Sequence, residues 1–218
     1  MKLANRRALV SGALLSAATL GPPLVTRALP PPSSRFDAPG RIVAVGDLHG
    51  DCRAFEDTLG LTGLYSTKDA RWTGGNAVLV TIGDVLDRGN EERQIFELLR
   101  RLRSQAAAAG GRVVSLLGNH EVLNACGITS FVAPDADEFG PDRISAFRPG
   151  SDLAIEMSQW PVACVVGDTA FCHAGLTPAH ARAGLDAINS VGAVAACACS
   201  FWLAPLVFCV PLLLLATC

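Results

Sequence analysis

Gly83-Asp84-Val85-Leu86-Asp87-Arg88-Gly89 sets two carboxylates and a guanidinium on one tight loop, directly after the apolar run Ala77 to Ile82 (AVLVTI). That run is short, rich in β-branched residues and bounded by Gly74-Gly75-Asn76 and Gly83, a pattern that predicts a buried strand of an α/β sheet. Ligands in such sheets sit beyond the carboxyl ends of the strands. Asp84 falls at that place, so the loop suits metal and phosphate.

Outward from this loop, strand-like and helix-like segments alternate. Arg41 to Val45 (RIVAV) predicts a buried strand that runs into Gly46-Asp47-Leu48-His49-Gly50-Asp51, and Asp51 caps a helix from Cys52 to Leu59. Glu91 to Ala109 predicts a helix with Ile95, Leu98, Leu99 and Leu102 on one face and Arg100, Arg101 and Arg103 mostly on the other. Gly110-Gly111 ends it, and Arg112 to Leu117 (RVVSLL) predicts a strand ahead of Gly118-Asn119-His120-Glu121. Val122 to Pro149 shows no clear period; with Asp135, Asp137 and Glu138 it reads as a solvated surface excursion. Ser151 to Trp160 predicts a capped helix, and Val162 to Cys172 a hairpin turning at Gly167-Asp168. The hairpin leads into His173-Ala174-Gly175-Leu176-Thr177-Pro178, and His180 on the following helix reads as solvent-facing. Four strand ends in succession thus carry metal-capable side chains.

A length of 218 residues fits one domain with a sizeable core. The net charge of -2 excludes a general nucleic-acid binder, which would need a basic surface. Any affinity for phosphate must therefore come from a local site. The eight cysteines form no C-x-x-C pair, Cys197-Ala198-Cys199 is too close for a zinc knuckle, and Cys164 and Cys172 read as small core residues. At the amino end, Arg6-Arg7 precede the uncharged stretch Ala8 to Leu20 and the breaker Gly21-Pro22-Pro23. This predicts a targeting peptide, either an export signal or an organellar transit peptide of chloroplast or thylakoid type. Pro30-Pro31-Pro32-Ser33-Ser34 reads as a linker, residues 1–40 as targeting peptide and linker, and the domain as beginning near Arg41.

Oxygen and imidazole donors without thiolate suit manganese, iron or zinc, and a carboxylate bridging two ions holds them at about 3.5–4 Å, as in two-metal hydrolases. Asp47, His49 and Asp84 are expected to hold one ion, and Asp84, Asn119 and His173 the other. Such a pair activates a hydroxide for in-line attack on phosphorus. Arg88 is expected to clamp the phosphate beside Asn119. His120 is placed to protonate the departing oxygen, with Asp87 orienting it.

The motifs GDLHGD (46 to 51), GDVLDRG (83 to 89), GNHE (118 to 121) and HAGLTP (173 to 178) resemble those of the phosphoprotein phosphatase family within the calcineurin-like metallophosphoesterases. RGNEERQIFELLRRL (88 to 102), LLGNHEVLNACG (116 to 127), AFRPGSDLA (146 to 154) and VVGDTAFCHAGLTP (165 to 178) are similar to its Shewanella-like branch. The resemblance covers about Arg41 to Asn189. It implies an α/β fold, a β-sandwich flanked by helices. It also implies two divalent transition-metal ions, with manganese serving in vitro, hydrolysis of phosphomonoesters on protein substrates, and the roles given above for His120 and Arg88.

The family pattern also supplies a further metal-binding histidine, a further phosphate-binding arginine and several strands after the HAG-type loop. Here the last histidine is His180 and the last arginine Arg182. The second metal site and the phosphate clamp are therefore expected to be incomplete, and the metallophosphoesterase domain (41–189) to lack its carboxyl-terminal strands. Residues 190–218 are almost wholly apolar. Ser200 to Cys218 is long enough to span a bilayer as a tail anchor, but Pro205, Pro211 and the want of flanking basic residues favour an aberrant end to the reading frame. The reading is a metal-dependent protein phosphatase. Its rivals are a dinucleoside polyphosphate hydrolase of the same superfamily and a catalytically impaired, metal-binding or membrane-attached interaction protein.

Overall fold

Apolar side chains at alternate positions on short strands divide between two cores, and this division dictates the architecture. The structure is a computed structural model that describes residues 32–135 and 137–190. Its elements run β1 (Arg35–Phe36), β2 (Ile42–Val45), α1 (Cys52–Leu61), β3 (Tyr65–Ser66), β4 (Arg71–Trp72), β5 (Val78–Thr81), α2 (Glu92–Ala108), β6 (Arg112–Ser115) and α3 (Asn119–Ala125). There follow α4 (Arg143–Phe147), α5 (Asp152–Met157), β7 (Ala163–Val166), β8 (Thr169–Cys172) and α6 (Pro178–Ala183). One parallel sheet has the order β2-β5-β6, a mixed sheet has the order β1-β7-β8, and β3-β4 form a small hairpin.

Along β5, Val78 and Val80 enter one core while Leu79 enters the other, the period-2 alternation of a strand covered on both faces. Val78, Val80, Val114 and Leu116 meet Cys164, Val166, Phe36 and Phe171 between the two sheets. Leu79 and Val113 meet Phe55 and Leu59 of α1 and Ile95, Leu99 and Leu102 of α2 on the outer face. The result is the expected sandwich with helices on its outside. Val45, Thr81 and Ser115 lie in register across β2, β5 and β6, so three strand-end loops leave the sheet at one level.

Several boundaries differ from the sequence reading. β1 lies ahead of Arg41 and pairs in parallel with β7, and Ser34 is buried, with its hydroxyl donating to Asp186 (2.9 Å). Two-residue strands are too short to leave a period, which is why the linker reading covered them. α1 continues to Leu61, and β2 is a half-buried edge strand rather than a buried one, with Ala44 exposed. The largest correction concerns Val122 to Pro149. This segment is not a solvated excursion: it contains the end of α3, a 3-10 turn at Gly140–Asp142 and α4. Phe139 and Phe147 are buried with ring centroids 4.8 Å apart. Elements of five to seven residues are too short for a hydrophobic period to be read. His180 is not simply solvent-facing; its Nδ1 accepts from the Thr177 N–H (3.3 Å) at the cap of α6.

Among the described residues no helix is long and apolar enough to cross a membrane. The expected targeting peptide, the apolar tail with its anchor or reading-frame accounts, the Cys197-Cys199 pair and any strands beyond Asn189 lie outside the described residues.

If the 122–149 segment is part of the core, Phe147→Ala should destabilise the protein by about 3–5 kcal/mol, as for a buried Phe. Leu61→Ala, at a side chain 90% exposed, should change stability by no more than about 0.5 kcal/mol. Urea unfolding compares the two.

Candidate metal centre

Three loops meet at the carboxyl end of the parallel sheet because their backbones approach closely enough to bond. Leu48 and His49 donate N–H to the Asp84 carbonyl, and Gly50 to that of Val85, each at 2.9 Å. A Cβ on Gly89 would sit 2.5 Å from the Gly50 oxygen, and one on Gly118 would collide with the Asp84 carboxylate. Only glycine permits these crossings. His49, Asp84, Asp87 and Arg88 have φ of 44°, 54°, 71° and 70°, and Ala70 is the one other non-glycine in this region among the described residues. Left-handed backbone is costly for residues bearing a Cβ and persists where the surroundings over-determine it.

Glu121 supplies much of that determination. At the third position of α3 its carboxylate accepts from the N–H groups of Asp84 (2.9 Å), Val85 (2.8 Å), Leu86 (3.2 Å) and Gly118 (2.8 Å). Burial and the nearby Asp84 carboxylate push Glu121 up, to about 7, while these donors pull the other way. The Asp84 loop is thereby stitched to the start of α3. Asn119 and His120, expected in a loop, open this helix.

Asp84 is the hub. Its carboxylate, almost fully buried, lies 3.2 Å from His173 Nε2 and 3.8 Å from both His49 Nε2 and His120 Nε2, and accepts from the His120 N–H (3.0 Å). His49 donates Nδ1–H to the Leu86 carbonyl (2.8 Å) and His173 donates Nδ1–H to that of Ile82 (2.9 Å). Both rings therefore turn Nε2 inward, as carbonyl-anchored metal histidines do. His49 Nε2 is buried and makes no hydrogen bond. His173 Nε2 also faces Asn119 Oδ1 (3.1 Å), and Asp47, half-exposed at the mouth, reaches within 3.8 Å of His49 Nε2 and 3.9 Å of His173 Nδ1. Two donor groups emerge, His49-Asp84-His120 and Asp47-Asp84-His173, sharing Asp84.

Oxygen and nitrogen acceptors converging in this way can hold a cation at their centre. Burial opposes a charge on His173, yet the Asp84 carboxylate overrides it and pushes the ring up to about 9. In the metal-free chain a proton thus fills part of a cation's role. The donor set fits divalent transition metals.

The structure brings Asp47, His49, Asp84, Asp87, Asn119, His120 and His173 together, but it pairs them otherwise than expected: His49 groups with His120 rather than with Asp47, and Asp47 groups with His173. It leaves Arg88 exposed at the rim, with no ion pair to any described residue. His120 Nδ1–H donates to Asp87 Oδ2 (2.6 Å) in a buried pair. Burial works against charging His120, but the Asp87 hydrogen bond and the surrounding carboxylates raise it above its ordinary value. Sequence reasoning missed the residues behind this pair: Asn124, Glu92 and Arg143, together with the clamp formed by Glu121. Arg143 donates to Asp87 Oδ1 (2.6 Å), to Glu92 (2.8 and 2.9 Å), to Asp137 (2.9 Å) and to Asn124 Oδ1 (2.8 Å). The one available signal was the position of Glu121 three residues into a helix that begins after glycine.

The sequence profile of the calcineurin-like phosphoesterases matches residues 40–195. The chain belongs to the calcineurin-like phosphoesterase family. Within that family it is 33% identical to Shewanella-like protein phosphatase 2 of Arabidopsis thaliana over 202 residues, 72% of this chain and 51% of that protein. It is 31% identical to Shewanella-like protein phosphatase 1 of Plasmodium berghei over 156 residues, 69% of this chain and 43% of that protein. The chain spans about half the length of these curated relatives. Its fold matches the crystal structure of a cold-active protein-tyrosine phosphatase from a psychrophilic Shewanella species. That match has a TM-score of 0.71 at 21% identity, covering 81% of this chain and 56% of that one. The calcineurin-like phosphoesterase fold is thus recovered from sequence and structure alike.

If a metal binds His173 Nε2 it displaces the proton held there, and affinity for zinc or manganese should then rise with pH up to about 9. Calorimetry in buffers of different ionisation enthalpy should show net proton release below that value. Glu121→Ala should remove the clamp and weaken metal binding by about 10–100-fold, measured by competition with a chelator.

Proposed function

We propose that this chain is a metal-dependent phosphomonoesterase of the protein phosphatase type. The observation that carries the reading is the sharing of Asp84 between two donor groups, one of which contains His120, itself hydrogen-bonded through Nδ1 to the buried Asp87. Asp47, His49, Asp84, Asn119 and His173 would hold two divalent ions, manganese, iron or zinc. Such ions, when bound, supply Lewis-acid charge against a phosphoryl group and lower the pKa of a nucleophilic water.

The remaining work falls to the chain's own residues. Arg88, free at the rim, receives the phosphate with the bidentate geometry of a guanidinium, and Asn119 lies beside it. Asp87 fixes the His120 tautomer with the proton on Nδ1 and favours the charged ring, in which Nε2 also carries a proton for the departing oxygen. The similarity to Shewanella-like protein phosphatases supports a phosphoprotein substrate over a nucleotide. The basic and apolar stretch from Arg6 to Leu20 supports delivery to an organelle or export.

The full chain should hydrolyse p-nitrophenyl phosphate in manganese, with Asp84→Asn reducing kcat to background. His120→Asn should lower kcat by about 10²–10⁴-fold on a phosphopeptide with an alkoxide leaving group, and by less on p-nitrophenyl phosphate, whose leaving group needs little protonation. A higher kcat/KM for a dinucleoside tetraphosphate than for any phosphopeptide would make the chain a polyphosphate hydrolase. A rate no greater than that of Asp84→Asn would make it a binding protein.

A further inference from the structure

Behind the His120–Asp87 pair stands a second layer that the reaction does not touch. Arg143 is 3% exposed and comes from α4, 56 residues away in sequence from Asp87. A buried guanidinium has five N–H donors to fill. This one meets three carboxylates, Asp87, Glu92 and Asp137. Its shortest bond, 2.6 Å, goes to Asp87 Oδ1, leaving Oδ2 to face His120 at 2.6 Å. Asn124 donates to the same Oδ1 (3.0 Å) and accepts from Arg143 Nε (2.8 Å), so Asp87 is gripped from two directions.

The grip extends to the backbone. The Asp87 N–H donates to Glu92 Oε1 (2.5 Å), and Arg143 holds both oxygens of Glu92. Asp87 has φ of 71°, a conformation that relaxes unless its partners are fixed. A planar fork can fix the Asp87 side chain and, through Glu92, its main chain at once. An ammonium, a point donor, cannot.

We infer that Arg143 is a positioning residue that aims His120 at the leaving group through Asp87. The inference rests on the phosphatase reading for its consequence in turnover but not for its geometry. His120 also packs edge-to-face against His49 (4.7 Å) and Phe131 (5.1 Å) and lies 3.8 Å from Asp84 through Nε2. Its short ring hydrogen bond is the one from Nδ1 to Asp87, the side where the fork lies.

The test is Arg143→Lys in the full chain. Proton NMR, without paramagnetic ions, should show a low-field His120 Nδ1–H resonance in the parent, identified by its loss in His120→Asn, and its shift or broadening in Arg143→Lys. In manganese, Arg143→Lys should lower kcat by about 10–100-fold with KM little changed, more on an alkyl phosphate than on p-nitrophenyl phosphate. In a His120→Asn background the same change should add little further. An unchanged resonance, an equal loss on both substrates, or fully multiplicative effects would overturn the inference. If Arg143→Lys does not fold, Asp137→Asn keeps the guanidinium and loosens the fork from its outer side. A leaving-group-dependent loss there supports positioning, and a loss of stability alone overturns it. A parent chain with no turnover overturns the phosphatase reading, while the resonance still decides the role of Arg143.

Discussion

The carboxylate of Glu121 is the interaction on which the site depends. A buried charge is expensive unless its oxygens are filled with donors, and here the donors are the main-chain N–H groups of Asp84, Val85, Leu86 and Gly118. Those groups belong to a loop whose left-handed residues would otherwise relax and to the turn that opens α3. One side chain thus offsets part of its own desolvation and holds the hub carboxylate, Asp84, against the residues it must meet. Glu121 faces no reacting atom, and its contribution is entirely geometric.

The sandwich serves the same end by another route. β5 is buried on both faces, so its register with β2 and β6 cannot slip without moving Val78 and Val80 out of one core and Leu79 out of the other. Fixed register means that the loops after Val45, Thr81 and Ser115 leave at a fixed height. The β7-β8 hairpin delivers His173 from the second sheet, and its ring is tied back to the first through the Ile82 carbonyl. The centre is therefore held by both layers, and tightening the core tightens the ligands.

Much of this was legible in the sequence because it is written locally. Ala77 to Ile82 and Arg112 to Leu117 are apolar runs closed by glycine, and Glu91 to Ala109 has a clear helical stripe. Asp47, His49, Asp84, Asn119, His120 and His173 follow such signals directly. Arg143 was not legible. It sits in a five-residue helix with no period to reveal it, and its meaning comes from Asp87, Glu92, Asn124 and Asp137, which only the folded chain assembles. β1 was missed for the same reason, since two residues paired to a distant strand leave no local trace. Residues that bear ligands advertise themselves by type, whereas residues that orient them are defined by their neighbours.

The anchoring of His173 to Ile82 closes a separation of 91 residues, and this bears on how the molecule is made. Parallel pairing and long loops form late in folding, because chain entropy is surrendered before the contacts repay it. A growing polypeptide that has reached α3 possesses Asp47, His49, Asp84 and Asn119 but not the imidazole that completes the cluster. The full donor cluster therefore exists only in chains whose β7-β8 hairpin has docked, so its assembly is a late and topology-dependent event.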